Sequence, residues 1–218
     1  MDEERPRLPR VKVCGMTRPT DVFTAVEAGA DALGFVSYWA SPRDLPVASA
    51  AELVGVVPEG IATVAVMVDP TPDHARRYVE GTGTGWLQLC GDERPVDWFD
   101  FPRPILRRVA VDPDGHEAAA EIERWRPLVA GFVLDHPSGP GGTGLPVDLA
   151  PASHLAALAP CLLAGGLDAE NVAGRVALVR PAGVDGSSRL ESEPGKKDSD
   201  RVLAFVAAAR EALAEVER

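Results

Sequence analysis

Lys12 and Cys14 stand two residues apart in the run Val11-Lys12-Val13-Cys14-Gly15-Met16-Thr17, which reads as a short strand, a tight turn and a helix start. Side chains alternate along a strand, so Lys12 and Cys14 share one face while Val11 and Val13 share the other. An amine and a thiol facing the same way at a strand end can move protons, although a buried cysteine is also an ordinary packing residue. Cys14 acts as a base only as thiolate, a form that Lys12 and a helix starting near Thr17 favour. Asp135 is the complementary group. It ends the apolar run Gly131-Phe132-Val133-Leu134, and burial there raises its pKa and keeps it protonated, as a general acid requires. The other reading of Asp135 is an ion pair with Lys12, which lowers its pKa, and Asp185 is a second available partner for that lysine.

Other residues suit anion binding. Arg43, in Ser41-Pro42-Arg43, can grip a substrate carboxylate with two parallel N–H bonds or remain a solvated loop cation. Three glycine-rich stretches, Gly141-Gly142-Thr143-Gly144, Gly165-Gly166 and Gly186-Ser187-Ser188, allow the close backbone approach a phosphate needs. Ser187 and Ser188 add hydroxyls where a helix cap is expected. Gly142, Gly165, Gly166, Ser187 and Ser188 are therefore the phosphate candidates, against a reading as turns alone. His74, His116, His136 and His154 show no metal-ligand spacing; His136 lines the site or is a surface residue. Cys14, Cys90 and Cys161 are odd in number with no Cys-x-x-Cys pair, a pattern of reduced thiols in the cytoplasm and neither a disulfide framework nor a metal site.

These residues need a scaffold that gathers them. Short β-branched or apolar runs alternate with alanine-rich helical patterns: strands over 11–14, 32–36, 61–68, 86–89, 104–109, 128–134, 161–163 and 182–184, and helices over 20–29, 47–57, 72–80, 116–125, 147–158, 169–179 and 198–216. Pro19 suits the first turn of its helix and Gly29 the end, and Asp73 opens the third helix. Residues 93–101, broken by proline, leave room for a short helix only. Eight strand–helix units in about 200 residues reach the lower size of a (β/α)8 barrel, with an open doubly wound sheet as the alternative. The expected layout is an N-terminal arm over residues 1–10 and one α/β barrel over 11–218. In a barrel the strands' C-terminal ends carry the site, and Cys14, Asp135, the 165–166 glycines and the 186–188 stretch all fall there. The 45% hydrophobic content supplies a core. A net charge of −11 opposes nucleic-acid binding, and no apolar run is long enough for a signal peptide or a membrane span. Monomer and dimer are equally compatible with the sequence.

The motifs together resemble one family. Val-Lys-Val-Cys-Gly-Met-Thr at 11–17, Gly-Ala-Asp-Ala-Leu-Gly-Phe-Val at 29–36, Ser-Pro-Arg at 41–43, Leu-Gln-Leu-Cys-Gly at 87–91, Leu-Asp and Gly-Gly-Thr-Gly within 134–144, Ala-Gly-Gly-Leu at 164–167 and Pro-Gly-Lys-Lys-Asp at 194–198 are similar to phosphoribosylanthranilate isomerase. The resemblance implies a single TIM barrel without cofactor or metal, acting on a small phosphorylated substrate by an Amadori rearrangement in tryptophan biosynthesis. It implies that Asp135 protonates the furanose ring oxygen, Cys14 removes the C2′ proton, Arg43 holds the anthranilate carboxylate and the glycine loops hold the phosphate. Cys90 stands where the family usually has His, Ser37 where it has a large apolar residue, and Gly186 and Arg189 where Asp-Val-Ser-Ser-Gly is expected at 185–189. Arg189 either strengthens the phosphate grip or strains the backbone, since glycine alone takes φ > 0 freely. A related sugar-phosphate isomerase or lyase, and a non-catalytic ligand-binding barrel, are the competing readings.

Overall fold

The computed structural model describes residues 6–216; the first five residues of the expected arm and residues 217–218 lie outside it. Eight parallel strands close into a barrel in sequence order: β1 (Val11–Cys14), β2 (Ala32–Ser37), β3 (Ala62–Met67), β4 (Trp86–Leu89), β5 (Ile105–Ala110), β6 (Gly131–Asp135), β7 (Cys161–Leu163) and β8 (Gly183–Gly186). The closing seam pairs Val11 with Val184, Lys12 with Asp185 and Val13 with Gly186. Helices α1 (Pro19–Ala28), α2 (Val47–Val54), α3 (Pro72–Thr82), α4 (His116–Trp125), α5 (Leu149–Leu158), α6 (Val172–Val179) and α7 (Ser199–Val216) surround it, and a hairpin of β9 (Glu191–Glu193) and β10 (Lys196–Lys197) follows β8.

Strand alternation sorts the side chains into two cores. Val11, Val13, Leu33, Phe35, Leu87, Leu89, Phe132 and Leu134 face the helices. Cys14, Val36, Val64, Val66, Leu106, Val133 and Leu162 fill the barrel interior. The period of two thus sends Lys12 and Cys14 inward, where Lys12 is wholly buried.

Several expected boundaries move, most of them for a local reason. Between β4 and β5 the short helix expected within 93–101 is a 3-10 turn at Pro95–Asp97, and the place of a longer helix is left to side chains. Trp98 and Phe101 fill that place, with ring centroids 5.3 Å apart and Trp98 almost wholly buried. Thr71, not Asp73, caps α3 by accepting the His74 N–H at 3.2 Å. Asp148 caps α5, so that helix starts at Leu149 and not at Val147. Asp168 Oδ1 accepts the N–H groups of Glu170 and Asn171 at 3.1 and 3.0 Å, a turn that delays α6 until Val172. Helix α2 stops at Val54, short of the expected Val57, and β6 begins at Gly131 and not at Leu128. The β9–β10 hairpin falls in a stretch where no element was expected.

The described part of the arm belongs to the barrel floor. Pro9 is buried, Leu8 packs on the interior cluster, and the Arg10 carbonyl accepts the Val184 N–H at 2.8 Å. Gly131 and Gly183 make room there: a Cβ on Gly131 would lie 2.6 Å from Leu8, and one on Gly183 2.5 Å from the Pro9 carbonyl.

Candidate active site

At the C-terminal ends of the strands a cavity of about 470 Å³ is lined by Cys14, Arg43, Asp135, Asp185, Ser187 and the glycines 141, 142, 144, 165 and 166. Cys14 enters it from β1, Asp135 from β6 and Asp185 from β8. Ser188 stands at its edge, its Oγ 3.0 Å from where a Cβ on Gly144 would sit. The structure therefore gathers Cys14, Arg43, Asp135, Asp185, Ser187 and the glycine loops at one mouth.

Lys12 lies beneath them. Its Nζ bonds Asp185 Oδ2 at 2.6 Å, the two residues being paired in register across the barrel seam. Asp185, not Asp135, is thus the partner of Lys12. Burial opposes the ammonium charge, but Asp185 and Cys14 outweigh it and hold the lysine above its ordinary 10.5. Burial likewise pushes the Asp185 carboxyl up while Lys12 pulls it back; the 2.6 Å contact to a firmly protonated amine marks the pair as ammonium and carboxylate.

Asp135 stands apart from that pair. Burial raises its pKa above the ordinary 3.8, against the pull of Arg108 and a hydrogen bond from the His136 N–H, which reaches Oδ1 at 2.8 Å. A raised carboxyl suits proton donation. For Cys14 the expectation of a favoured thiolate is corrected. Burial pushes the thiol above its ordinary 9.0, and Lys12 and Lys197 offset this only in part. The amine expected to activate it is already committed to Asp185.

Arg43 also differs from its expected two-pronged grip on substrate. Nε and Nη2 bond Glu191 Oε1 and Oε2, each at 2.7 Å, so the fork is filled from within the protein. Nη1 remains, turned toward Gly142, where a Cβ would come within 2.8 Å of it. Lys197 Nζ joins the same carboxylate at 2.7 Å and reaches the Ser187 carbonyl at 3.3 Å. The β9–β10 hairpin carries both Glu191 and Lys197 and turns at Gly195 with φ +83. No side chain fits there, since a Cβ would lie 2.8 Å from the Pro42 carbonyl.

The phosphate candidates form a cradle of backbone. Gly165 and Gly166 have φ of +82 and +62, and a Cβ on Gly166 would stand 2.6 Å from the Gly144 carbonyl. The expected serine cap is absent: Ser187 makes no side-chain cap bond to the 3-10 turn at Ser188–Leu190 and instead donates to the Cys14 carbonyl at 3.1 Å. Arg189 does not occupy the left-handed region, which only Asp69 and Arg180 enter among the described non-glycine residues, so the expected strain does not arise. Its Nη1 bonds Asp168 Oδ2 at 3.1 Å and its Nε the Gly144 carbonyl at 3.4 Å, lacing two of the glycine loops together. Gly186 is required by packing, because Phe205 of α7 would lie 2.6 Å from a Cβ there.

Glu191 and Arg108 carry no signal in the sequence motifs, and Gly34 and Lys197 fall within quoted motifs without a role of their own. Gly34 pairs with Cys14 in register, and a Cβ there would lie 2.6 Å from Sγ; glycine within a strand was the available signal of such an approach.

Residues 11–208 match the profile of the N-(5′-phosphoribosyl)anthranilate isomerase family. The chain belongs to the phosphoribosylanthranilate isomerase family. It is accordingly an isomerase. Among family members, the N-(5′-phosphoribosyl)anthranilate isomerase of Bordetella avium is 40% identical over 204 residues, covering 90% of this chain and 93% of its own. That of Halorhodospira halophila is 41% identical over 213 residues, covering 96% and 97%. The solved phosphoribosyl anthranilate isomerase of Thermotoga maritima superposes with a TM-score of 0.84 at 29% identity, covering 94% of this chain and all of that one. Another solved phosphoribosyl anthranilate isomerase, holding reduced 1-(o-carboxyphenylamino)-1-deoxyribulose 5-phosphate, superposes at 0.81 with 28% identity over 94% and 100%. The family's barrel is thus shared along nearly the whole chain.

Proposed function

We propose that this isomerase converts N-(5′-phosphoribosyl)anthranilate to its 1-deoxyribulose 5-phosphate aminoketone with Asp135 as general acid and Cys14 as general base. The convergence of both groups on one 470 Å³ cavity carries the reading. Asp135 gives a proton to the furanose ring oxygen as the C1′–O bond breaks, and the anthranilate nitrogen lone pair forms a Schiff base. The Cys14 thiolate then takes the C2′ proton, and the resulting enolamine tautomerises to the ketone. Nη1 of Arg43 meets the anthranilate carboxylate as a point donor, its other edge being fixed by Glu191. The 141–144 and 165–166 glycine loops, with Ser187 and Ser188, receive the phosphate through backbone N–H groups and hydroxyls. The reading places the enzyme in the cytoplasm, supported by three free, buried cysteines, and no helix among the described residues is long and apolar enough to cross a membrane. The test adds purified protein to phosphoribosylanthranilate. Loss of the anthranilate fluorescence with saturation kinetics is expected, and a signal that decays no faster than without protein refutes the assignment.

Arg189 lends itself to a second measurement. Because it laces the loops without backbone strain, Arg189→Gly is expected to raise KM about tenfold, the equivalent of about 1.4 kcal/mol, with kcat nearly unchanged. An unaltered KM would reduce Arg189 to a surface cation.

A further inference from the structure

β5 carries adjacent arginines, Arg107 and Arg108, in a strand buried on both faces. Alternation sends them to opposite sides. Arg107 leaves toward the helices, where it bonds Glu93, Glu121 and the Gly91 carbonyl and lies over the Trp125 ring at 4.9 Å. Arg108 enters the barrel, only 8% exposed. It makes one hydrogen bond among the described residues, from Nη2 to the His136 carbonyl at 2.6 Å. Its Nε–H is enclosed and has no partner. The nearest carboxyl is that of Asp135, whose Oδ2 stands 3.7 Å away.

The two oxygens of Asp135 are not equivalent. Oδ1 accepts the His136 N–H, which favours leaving the acid proton on Oδ2. Oδ2 is the oxygen facing Arg108, and Gly141 leaves that corner open: a Cβ there would lie 3.0 Å from Oδ2 and 4.0 Å from the Arg108 Nε. A guanidinium is always charged at working pH. At 3.7 Å it stands beyond hydrogen-bond reach, and a movement of about 0.8 Å would close the gap.

We propose that Arg108 is a positioning residue for the general acid, a fixed cation that closes on Asp135 Oδ2 when its proton leaves for the substrate ring oxygen. The step balances within the known reaction. The proton passes from Oδ2 to the ring oxygen, which also receives the electrons of the broken C–O bond, and the charge left on Oδ2 gains a charge-assisted N–H bond. The other charged groups around Asp135 do not duplicate this: Asp185 of β8 is an anion already paired with Lys12 of β1, and His136 presents its Nδ1 to the Ser138 N–H. The proposal rests on the reading of Asp135 as the acid.

The experiment compares Arg108→Leu and Arg108→Lys with the unaltered enzyme. Titration of Asp135 is followed by carbon NMR of labelled aspartate, its signal assigned by disappearance in Asp135→Asn. Removing a nearby cation disfavours the carboxylate, so the leucine variant is expected to raise the Asp135 midpoint by about 1–3 pH units. Its kcat on phosphoribosylanthranilate should fall at least tenfold with KM within twofold, and lysine should recover part of both. A folded leucine variant with an unmoved midpoint or an unchanged kcat overturns the proposal. Should leucine fail to fold, the lysine variant decides: a midpoint above the native one with a kcat below it supports the proposal, and an unmoved midpoint or an unchanged kcat overturns it. Asp135→Asn separates the two ideas. If that variant turns over normally, the acid assignment falls; if it is inactive while Arg108→Leu is normal, only the role of Arg108 falls.

Discussion

Replacing Cys14 with alanine is expected to slow turnover by about 10²–10⁴-fold, the range of one general base, with KM changed only a few-fold. The thiol fills a space bounded on the β2 side by Gly34, where no side chain could fit beside it, so its open side is the cavity. Alanine therefore removes the proton acceptor without pressing on a neighbour. The protonation state follows from burial, which lifts the thiol above 9.0 while Lys12 and Lys197 pull against it. At neutral pH the thiol predominates. The thiolate population grows tenfold per pH unit up to the actual pKa, and the scarce thiolate is correspondingly strong as a base. Alkylation by iodoacetamide reads that population directly. It should be measured with Cys90→Ala, because Cys90 lines the same cavity, although burial pushes its own pKa up to about 12. The expected rate climbs through pH 7–9 without a plateau. A plateau below pH 8 would mean a preformed thiolate, and a Cys14→Ala enzyme within threefold of native turnover would remove Cys14 from the mechanism.

Which features could be read from the chain alone depended on whether their cause was local. The inward turn of Lys12 and Cys14 follows from a period of two, and α4 and β7 have the bounds read from the sequence because their neighbours punctuate them clearly. The same period requires that one of two consecutive arginines in β5 enter the barrel. Glu191 was different. Its role arises only when a hairpin turning at Gly195 lays it against Arg43, 148 positions earlier, and no spacing in the sequence encodes that contact. The capture of Arg43 and the high pKa of Cys14 share this origin. Both depend on which partner a charged group finds in three dimensions and how far water is excluded, and a linear pattern carries neither quantity.

Lys12→Met is expected to cost about 3–5 kcal/mol of stability, because it leaves the Asp185 carboxylate buried without its counterion. Lys12 is wholly buried and meets Asp185 at 2.6 Å, while Asp185 Oδ1 already lacks a partner. The other cation that acts on Asp185, Lys197, is already paired with Glu191 at 2.7 Å. In a chain of this size the loss corresponds to about 6–20 °C in Tm. The double variant Lys12→Met/Asp185→Leu removes both charges and should recover most of that loss, since apolar replacement of a buried pair is often close to neutral. The pH dependence has a definite sign. The lysine's folded pKa lies above its ordinary 10.5, so the pair stabilises fully below 10.5 and ceases to as the pH rises through the folded value. Urea unfolding at pH 8 and pH 11 should show the native protein losing stability over that interval by more than the double variant does. Turnover then separates scaffold from chemistry. Lys12 draws the Cys14 thiol down by charge and by a hydrogen bond, which outweighs the opposite push of Asp185, so a double variant with recovered stability should remain slow, and its alkylation rate at pH 8 should fall below that of native Cys14. A stable double variant with native turnover and native alkylation would restrict Lys12 to holding the seam between β1 and β8.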